Sequence, residues 1–219
     1  MSRLYFCLLV ILLSLAAMAD QHFEKFDYPP FEINGTTYVN GNEIAKGLSC
    51  NPSLFLEFNA IKLKDENHKK TIAFIPARLI AKKLKLDIIK TDNSLTIGDI
   101  TWKIDQKITL VSLAKQRVFA FEGLKMVRDF ATCTGRKGYS TPPGIFRVYK
   151  KIKSKHKVTG RPWGGSMYNP VYFNGCVALH GSTEMRKHPS SHGCCRLYYK
   201  DADWYHPWSP TDSIVYVIP

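Results

Sequence analysis

The chain has 219 residues, 45% hydrophobic and 22% charged, a composition typical of a folded protein that excludes a disordered tail. With 31 Lys and Arg against 18 Asp and Glu, the formal net charge is +13. A chain of this length is expected to form one large or two small domains. Its long apolar run, Leu4 to Leu15, is too short for a helix that crosses a bilayer, so we do not expect an integral membrane protein.

The N-terminus has the anatomy of an export signal. Arg3 supplies a positive charge, the apolar run follows it, and Ala17-Met18-Ala19 matches a small-x-small cleavage site. We therefore predict a signal peptide over residues 1–19, with an uncleaved anchor as the alternative. The mature chain would have no stable membrane span. It would pass through the inner membrane and work in the periplasm or the cell wall.

The basic charge alone does not identify a partner. Nucleic acid is a common partner of basic proteins, but an exported protein rarely meets it, and the lysines and arginines are spread along the chain. We expect no nucleic acid. Carboxylate-rich wall polymers and anionic membrane surfaces fit an exported basic protein, and a charged surface that only aids solubility is equally consistent.

Residues 20–104 predict a small α+β accessory domain. Asn34-Gly35 lies between two β-rich segments, the pattern of a tight hairpin. A weak internal repeat begins at Tyr38 and again at Phe74, and each copy predicts a strand that enters a short amphipathic helix. A strand pair over residues 87–89 and 95–97 closes this half. Residues 20–104 contain no cluster of Cys, His and carboxylate residues with catalytic spacing.

Residues 105–219 predict a mainly β domain. Short segments rich in β-branched and aromatic residues, separated by Gly and Pro turns, indicate a sandwich or barrel-like sheet. Helix is expected only near Lys200 to Tyr205. The predicted strands are Ile108 to Leu113, Arg117 to Glu122, Lys125 to Thr132, Gly144 to Tyr149, Val171 to Leu179 and Ser213 to Ile218.

The densest group of reactive side chains lies between His180 and Leu197, and three interpretations compete for it. The first is a zinc site. Its ligands would be His180, His188, His192 and Cys194, but a proline and a glycine in the stretch disfavour a helix, and the spacing is not that of a usual zinc motif. We therefore expect no metal and no cofactor.

The second interpretation is a disulfide framework. Five cysteines remain after signal removal, so at least one thiol stays unpaired within the chain in an oxidising compartment. The sequence does not determine the pairing of Cys50, Cys133, Cys176 and Cys195. On an extended segment Cys195 would point away from Cys194, so we expect Cys195 to be a small core residue, with a vicinal disulfide as the alternative.

The third interpretation, which we favour, is a cysteine nucleophile at Cys194. Gly193 directly before it lets a substrate carbonyl approach the sulfur and nearby N–H groups. A thiol with an ordinary pKa of about 8.5 needs a neighbouring histidine at neutral pH. His180 is the preferred partner, because Gly181 after it leaves the imidazole unobstructed. His192, which is closer to Cys194 in sequence, is the other histidine that could act as this partner.

These residues resemble the L,D-transpeptidase catalytic domain family, also called YkuD-like. The resemblance covers the C-terminal half of the chain and not residues 20–104. It implies a β-sandwich with the motif loop over a cleft. The motifs that carry it are H-G at 180–181 and P-x-S-H-G-C-x-R-L at 189–197, with support from T-G at 134–135, T-P-P-G-I-F at 141–146 and G-C-V-A-L-H-G at 175–181.

The resemblance also implies roles for individual residues. Cys194 would be the nucleophile and His180 its base. Two departures affect the lid and the redox behaviour: Cys195 replaces the usual aliphatic residue, and Met167-Tyr168-Asn169 differs from the family's lid segment. The resemblance also implies that the pocket is formed by Gly181, Ser191, His192 and Gly193, with oxyanion donors near Gly193 and Cys194. Arg196 and Tyr168 would bind the substrate. Arg196 would either order the pocket or contact a substrate carboxylate.

A protein of this kind is expected to be a transpeptidase that acts on peptidoglycan tetrapeptide stems. Through a Cys194 thioester it would form 3→3 cross-links and so affect cell shape. Water as the acceptor would make it an L,D-carboxypeptidase, and a protein lysine would make it a lipoprotein-anchoring enzyme. Carbapenem β-lactams are expected to acylate Cys194. A non-catalytic wall-binding protein is the rival from another class.

Overall fold

The computed structural model describes residues 23–153, 155–157 and 166–219, and the predicted signal peptide lies outside them. The protein is mainly β, as predicted. The helices are α1 (Gly41–Gly47), the 3₁₀ helix η1 (Pro52–Phe55), α2 (Ala77–Leu84) and α3 (Tyr199–Trp208). The strands are β1 (Phe23–Lys25), β2 (Phe31–Ile33), β3 (Thr36–Asn40), β4 (Ile61–Asp65), β5 (Lys70–Pro76), β6 (Ile88–Lys90), β7 (Ser94–Ile97), β8 (Ile100–Lys103), β9 (Lys107–Ser112), β10 (Arg117–Glu122), β11 (Lys125–Ala131), β12 (Gly144–Arg147), β13 (Lys150–Lys151), β14 (Lys155–Lys157), β15 (Ser166–Asn174), β16 (Val177–Gly181), β17 (Cys195–Leu197) and β18 (Ile214–Ile218).

These strands form three sheets, and the largest is the central layer. It has nine strands in the order β11-β10-β9-β18-β12-β4-β5-β3-β2. A five-stranded sheet, β13-β15-β16-β17 with β14 added to β15, covers one of its faces. A four-stranded sheet, β1-β8-β7-β6, contributes with α1 and α2 to the core on the other face. Most neighbours are antiparallel, but β16 pairs with β17 in parallel.

The nine-stranded and five-stranded sheets enclose one hydrophobic core. Helix α3 closes this core with Ala202 and Tyr205. Strands of the five-stranded sheet bury alternate residues there, since successive side chains of a strand point to opposite faces. The inward-facing residues of β15, β16 and β17 are Val171, Phe173, Leu179, Cys195 and Leu197.

The predicted hairpin and internal repeat are present in the N-terminal half. Strands β2 and β3 join through Asn34 and Gly35, with φ of 50° and 73°, the positive values that a tight two-residue hairpin turn requires. In each repeat a strand enters a helix, β3 into α1 and β5 into α2. Equivalent residues of the two helices are buried: Ile44 and Ala45 in the first, Ile80 and Ala81 in the second.

The two halves of the chain share one sheet and one hydrophobic core. Strand β4 pairs with β12 where Asp65 lies opposite Ile145. The ring of Phe31 lies 4.9 Å from that of Tyr216, and the Tyr216 hydroxyl donates to the carbonyl of Pro29 at 2.7 Å. Contacts between residues so distant in sequence join the predicted accessory segment to the C-terminal half.

One predicted strand is corrected. The segment Val171 to Leu179 was expected as a single strand, but it belongs to the antiparallel pair β15 and β16, joined at Gly175-Cys176. Asn174-Gly175 interrupts the β-rich pattern with residues that favour turns. The resulting hairpin brings the end of β16 beside β17.

Because the halves share a core, a change in the N-terminal half should destabilise both. Phe31→Ala removes a side chain that is 1% exposed, and we expect a loss of about 3–5 kcal/mol in the free energy of unfolding. Urea unfolding measures the loss, and mass-resolved alkylation of buried Cys195 reports on the C-terminal half. Leu56→Ala, at an 83% exposed residue, is the control and should change neither. Unchanged protection of Cys195 in Phe31→Ala at intermediate urea would contradict the shared core.

Candidate active site

The parallel pair β16–β17 places the two predicted catalytic residues. Leu179 lies opposite Cys195, and His180 lies opposite Arg196. Leu179 and Cys195 are buried in the core between the sheets, so the alternation of side chains puts His180 and Cys194 on the other face. His180 lies on β16 and Cys194 directly precedes β17, two residues out of register, which corresponds to roughly 8 Å between their Cα atoms in regular strand geometry. The structure therefore brings the predicted nucleophile and base to one surface.

His180 is buried and its tautomer is defined. Its Nδ1 lies 2.9 Å from the carbonyl oxygen of Gly181, and a carbonyl only accepts, so Nδ1 carries the proton. Nε2 then holds a lone pair that can take a proton. Burial lowers the pKa of His180 to about 4, and the charge of Arg196 acts in the same direction. The imidazole is therefore neutral at neutral pH.

Cys194 lies against an apolar wall. Its sulfur is 3.9 Å from the sulfur of Met167 and 3.5 Å from the carbonyl oxygen of Cys176. It packs against a small cluster formed by Met167, Tyr172 and Ala178. Cys194 is half-buried.

Ser191 holds the loop that carries the nucleophile. It is buried, its hydroxyl donates to the carbonyl of Cys194 at 2.6 Å, and it accepts from the N–H of Gly193 at 3.1 Å. Gly193 has a φ of 115°, in the region that favours glycine. The Gly193 amide, one of the expected oxyanion donors, is thus bonded to a side chain of its own loop.

Thr141 is a site residue that the sequence analysis missed. It is 1% exposed, its hydroxyl accepts from the N–H of Gly135 at 3.0 Å, and it donates to the carbonyl of Gly193 at 2.7 Å. The sequence showed Thr141 only as the first residue of the T-P-P-G turn. Its contact with the loop spans 52 residues, so no local pattern predicts it.

His192 forms the other side of the loop together with Arg136 and Tyr139, which the sequence analysis also missed. Arg136 Nη2 lies 2.8 Å from His192 Nε2, and a guanidinium only donates, so Nε2 is the acceptor. Desolvation and the nearby charges of Arg136 and Arg196 lower the pKa of His192. Since its lone pair is already engaged, His192 is not placed as the base of Cys194.

Arg196 orders the loop through an acidic partner. Its guanidinium donates to the carbonyl of Glu184 at 3.1 Å, and a second nitrogen lies 3.1 Å from the Glu184 carboxylate. Its backbone exchanges hydrogen bonds with Cys133 at 3.0 and 3.2 Å. Of the two roles expected for Arg196, these contacts favour ordering over capture of a substrate carboxylate.

The structure does not bring Tyr168 to the nucleophile. Met167 contacts Cys194, and Tyr168, the next residue of β15, stacks on Tyr199 of α3 with ring centroids 4.7 Å apart. Its hydroxyl bonds to Asp203, which raises its pKa. A Cβ at Gly181 would lie 2.9 Å from the Tyr168 ring and 2.8 Å from the Tyr199 ring. Tyr168 therefore supports Gly181 from behind, and its expected role in substrate binding stays a prediction.

The arrangement of the histidines and cysteines bears on the zinc and disulfide interpretations of the reactive stretch. Within the ranges that the structure describes, no group of three or more His, Cys, Asp or Glu residues could hold a metal ion. Cys50, Cys133, Cys176 and Cys195 are free thiols. Cys195 is fully buried, as predicted for a core residue, and burial raises its pKa.

Comparison with known proteins identifies the family. The model of the L,D-transpeptidase catalytic domain, YkuD, matches residues 106–217, and the chain belongs to this family. A comparison with curated proteins finds no match. In the described part of the chain, no helix has the length and apolar character needed to cross a membrane.

Solved structures of L,D-transpeptidases are similar to this chain. That of Xylanimonas cellulosilytica DSM 15894 has a TM-score of 0.47 and 27% identity, over 52% of this chain and 61% of that chain, less than two thirds of its length. L,D-transpeptidase 1 of Mycobacterium tuberculosis has a TM-score of 0.45 and 16% identity, over 74% and 82%. LdtMt1 in complex with imipenem has a TM-score of 0.48 and 15% identity, over 73% and 79%.

The buried state of His180 predicts a pH-dependent stability. Its pKa is about 4 when folded and 6.5 in the reference state, so the unfolded chain binds the extra proton between these values. Stability from this residue is complete above pH 6.5 and is lost as the pH falls towards 4, by roughly 3 kcal/mol. Urea unfolding of the wild type and of His180→Gln from pH 7 to pH 4 measures it. Parallel curves for the two proteins would contradict the assignment.

The bridge made by Thr141 predicts a second effect. Thr141→Val keeps the shape but leaves the Gly135 amide and the Gly193 carbonyl without their partner, at a cost of about 1–3 kcal/mol in stability. Because Gly193 then loses its anchor, we also expect a slower reaction of Cys194 with a carbapenem. Thr141→Ser, which keeps the hydroxyl, should retain both. Equal acylation rates in Thr141→Val and the wild type would show that the bridge does not position the nucleophile.

Proposed function

We propose that the protein is an exported cysteine L,D-transpeptidase that acts on peptidoglycan tetrapeptide stems. The observation that carries the proposal is the neutral, buried imidazole of His180 on β16, on the same face as Cys194, which directly precedes the adjacent parallel strand β17. Family membership supports the reaction class. The signal-like N-terminus supports export to the periplasm or the wall, and the net charge of +13 suits a polymer rich in carboxylates.

The geometry supports a proton path through His180. Nε2 takes the proton of the Cys194 thiol as the sulfur attacks the carbonyl of the third stem residue, which has an L centre. The Gly181 carbonyl, bonded to Nδ1–H, stabilises the imidazolium that forms. The imidazolium then protonates the amine of the departing D-alanine, which leaves a thioester on Cys194.

The acceptor determines the product. If the amine of a second stem attacks the thioester, His180 takes its proton and a 3→3 cross-link forms. Water would give an L,D-carboxypeptidase and a protein lysine would give lipoprotein anchoring, both through the same thioester. Mass spectrometry of the products formed on purified sacculi distinguishes the three acceptors.

The proposal predicts release of D-alanine from a disaccharide-tetrapeptide. Cys194→Ser should reduce this release by at least roughly 100-fold, because a serine hydroxyl is far less ionised than a thiol. Intact mass after treatment with imipenem should show one adduct, absent in Cys194→Ala. The matched control is Cys195→Val, which changes the adjacent buried cysteine and should keep both properties.

Two outcomes would contradict the proposal. If Cys194→Ser kept a substantial share of the release, Cys194 would not be the nucleophile. If the wild type bound sacculi without releasing D-alanine or taking the adduct, the protein would be a wall-binding protein rather than an enzyme.

A further inference from the structure

Arg136 is fixed at the rim of the nucleophile loop. Its backbone N–H donates to the carbonyl of Ser191 at 3.0 Å, and its carbonyl accepts from the N–H of Tyr139 at 2.9 Å. The guanidinium lies 4.7 Å from the centre of the Tyr139 ring and donates to His192. The rings of Tyr139 and His192 themselves meet edge to face at 4.9 Å. Two aromatic neighbours therefore hold the guanidinium in place.

This guanidinium has only neutral partners within the described residues. Three other arginines there, Arg117, Arg128 and Arg196, form ion pairs with acidic side chains, and the partner of Arg196 is Glu184. Arg136 forms no salt bridge in the same ranges, and its side-chain partner is an imidazole whose acceptor nitrogen faces it. Its charge is thus not compensated by a carboxylate. A preorganised guanidinium with spare donors is the group best suited to bind a carboxylate in a forked geometry.

Arg136 is bonded to the loop that carries Cys194, which places its charge near the predicted nucleophile. Its partner His192 is two residues from Cys194, and the carbonyl of Tyr139 lies 3.6 Å from a Cβ placed on Gly193. Cys194 itself packs against the apolar cluster that contains Met167 and Tyr172. The loop that carries Cys194 therefore has a cationic residue bonded to it through His192 and an apolar cluster packed against Cys194. In a tetrapeptide stem, the terminal carboxylate is three bonds from the carbonyl carbon that is attacked.

We propose that Arg136, held by Tyr139 and His192, binds the terminal carboxylate of the donor stem. The leaving residue would then point towards Arg136, and the remaining stem would lie along the apolar cluster of Met167 and Tyr172. The inference rests on the proposed function, because it names the group that recognises the leaving residue. It also assigns to Arg136 the carboxylate contact that the sequence analysis considered for Arg196.

The test combines two donors with matched variants. The donors are a disaccharide-tetrapeptide with a free terminal carboxylate and the same compound with a terminal amide. For the wild type, kcat/KM should be about 10- to 100-fold higher with the acid, and Arg136→Gln should lose that factor while its rate with the amide stays within about twofold. Lys137→Gln removes the same charge at the next, exposed residue and should keep the wild-type preference.

Two results would overturn the inference. An equal loss on both donors in Arg136→Gln would indicate that Arg136 only supports the loop, and slower alkylation of Cys194 by iodoacetamide, a neutral reagent, would accompany it. An equal loss of preference in Lys137→Gln would indicate a general effect of charge.

A binding measurement separates this inference from the proposed function. Calorimetry on Cys194→Ala measures binding without turnover. The donor with a free terminal carboxylate should bind at least about tenfold more tightly than the donor with a terminal amide. Adding Arg136→Gln to Cys194→Ala should remove this difference. If the wild type released no D-alanine but this preference was present, the function would fail and the carboxylate site would stand. If the wild type turned over but Cys194→Ala bound acid and amide equally, or bound neither, the carboxylate site would fail.

Discussion

The register between β16 and β17 is the constraint on which the site depends. Leu179 and Cys195 pair across the two strands and are buried in the core, so alternation turns His180 and Cys194 to the other face. A slip of one residue would bury Cys194 and expose both Cys195 and Leu197, at the cost of their apolar burial. The hydrophobic core therefore determines which of the two adjacent cysteines is buried and which lies on the other face.

The ionisable side chains around Cys194 other than Arg136 are either neutral or paired with an opposite charge, and the charge state of each has its own physical cause. Burial keeps His180 neutral, while the guanidinium of Arg136 occupies the lone pair of His192. The Glu184 carboxylate compensates Arg196. One histidine can therefore accept a proton, and among the described residues of this loop region Arg136 keeps a charge that no carboxylate offsets. Such a distribution suits a reaction in which one residue, His180, takes the proton and another, Arg136, binds the substrate's carboxylate.

Features set by neighbouring residues could be predicted from the sequence, and features set by distant ones could not. The Asn34-Gly35 turn, the repeated strand-to-helix units and β10, over Arg117–Glu122, follow from local patterns. The S-H-G-C segment indicated the nucleophile for the same reason. By contrast, the bonds from Thr141 to Gly193 and from Arg136 to His192 join loops that are more than 50 residues apart. Neither residue type is unusual where it stands, so the pairing exists only after the chain has folded.

Strand β18 links the N-terminal half to the core of the C-terminal half. Ile214, Tyr216 and Ile218 face the core shared with the N-terminal half, and Val215 and Val217 face the core beneath Cys195. A strand buried on both faces cannot move to suit one core without disturbing the other. The aromatic contacts of Tyr216 with Phe31 and Phe74 therefore act on the same strand that supports Cys195 from below. In this chain the N-terminal segment therefore forms one half of the packing around β18.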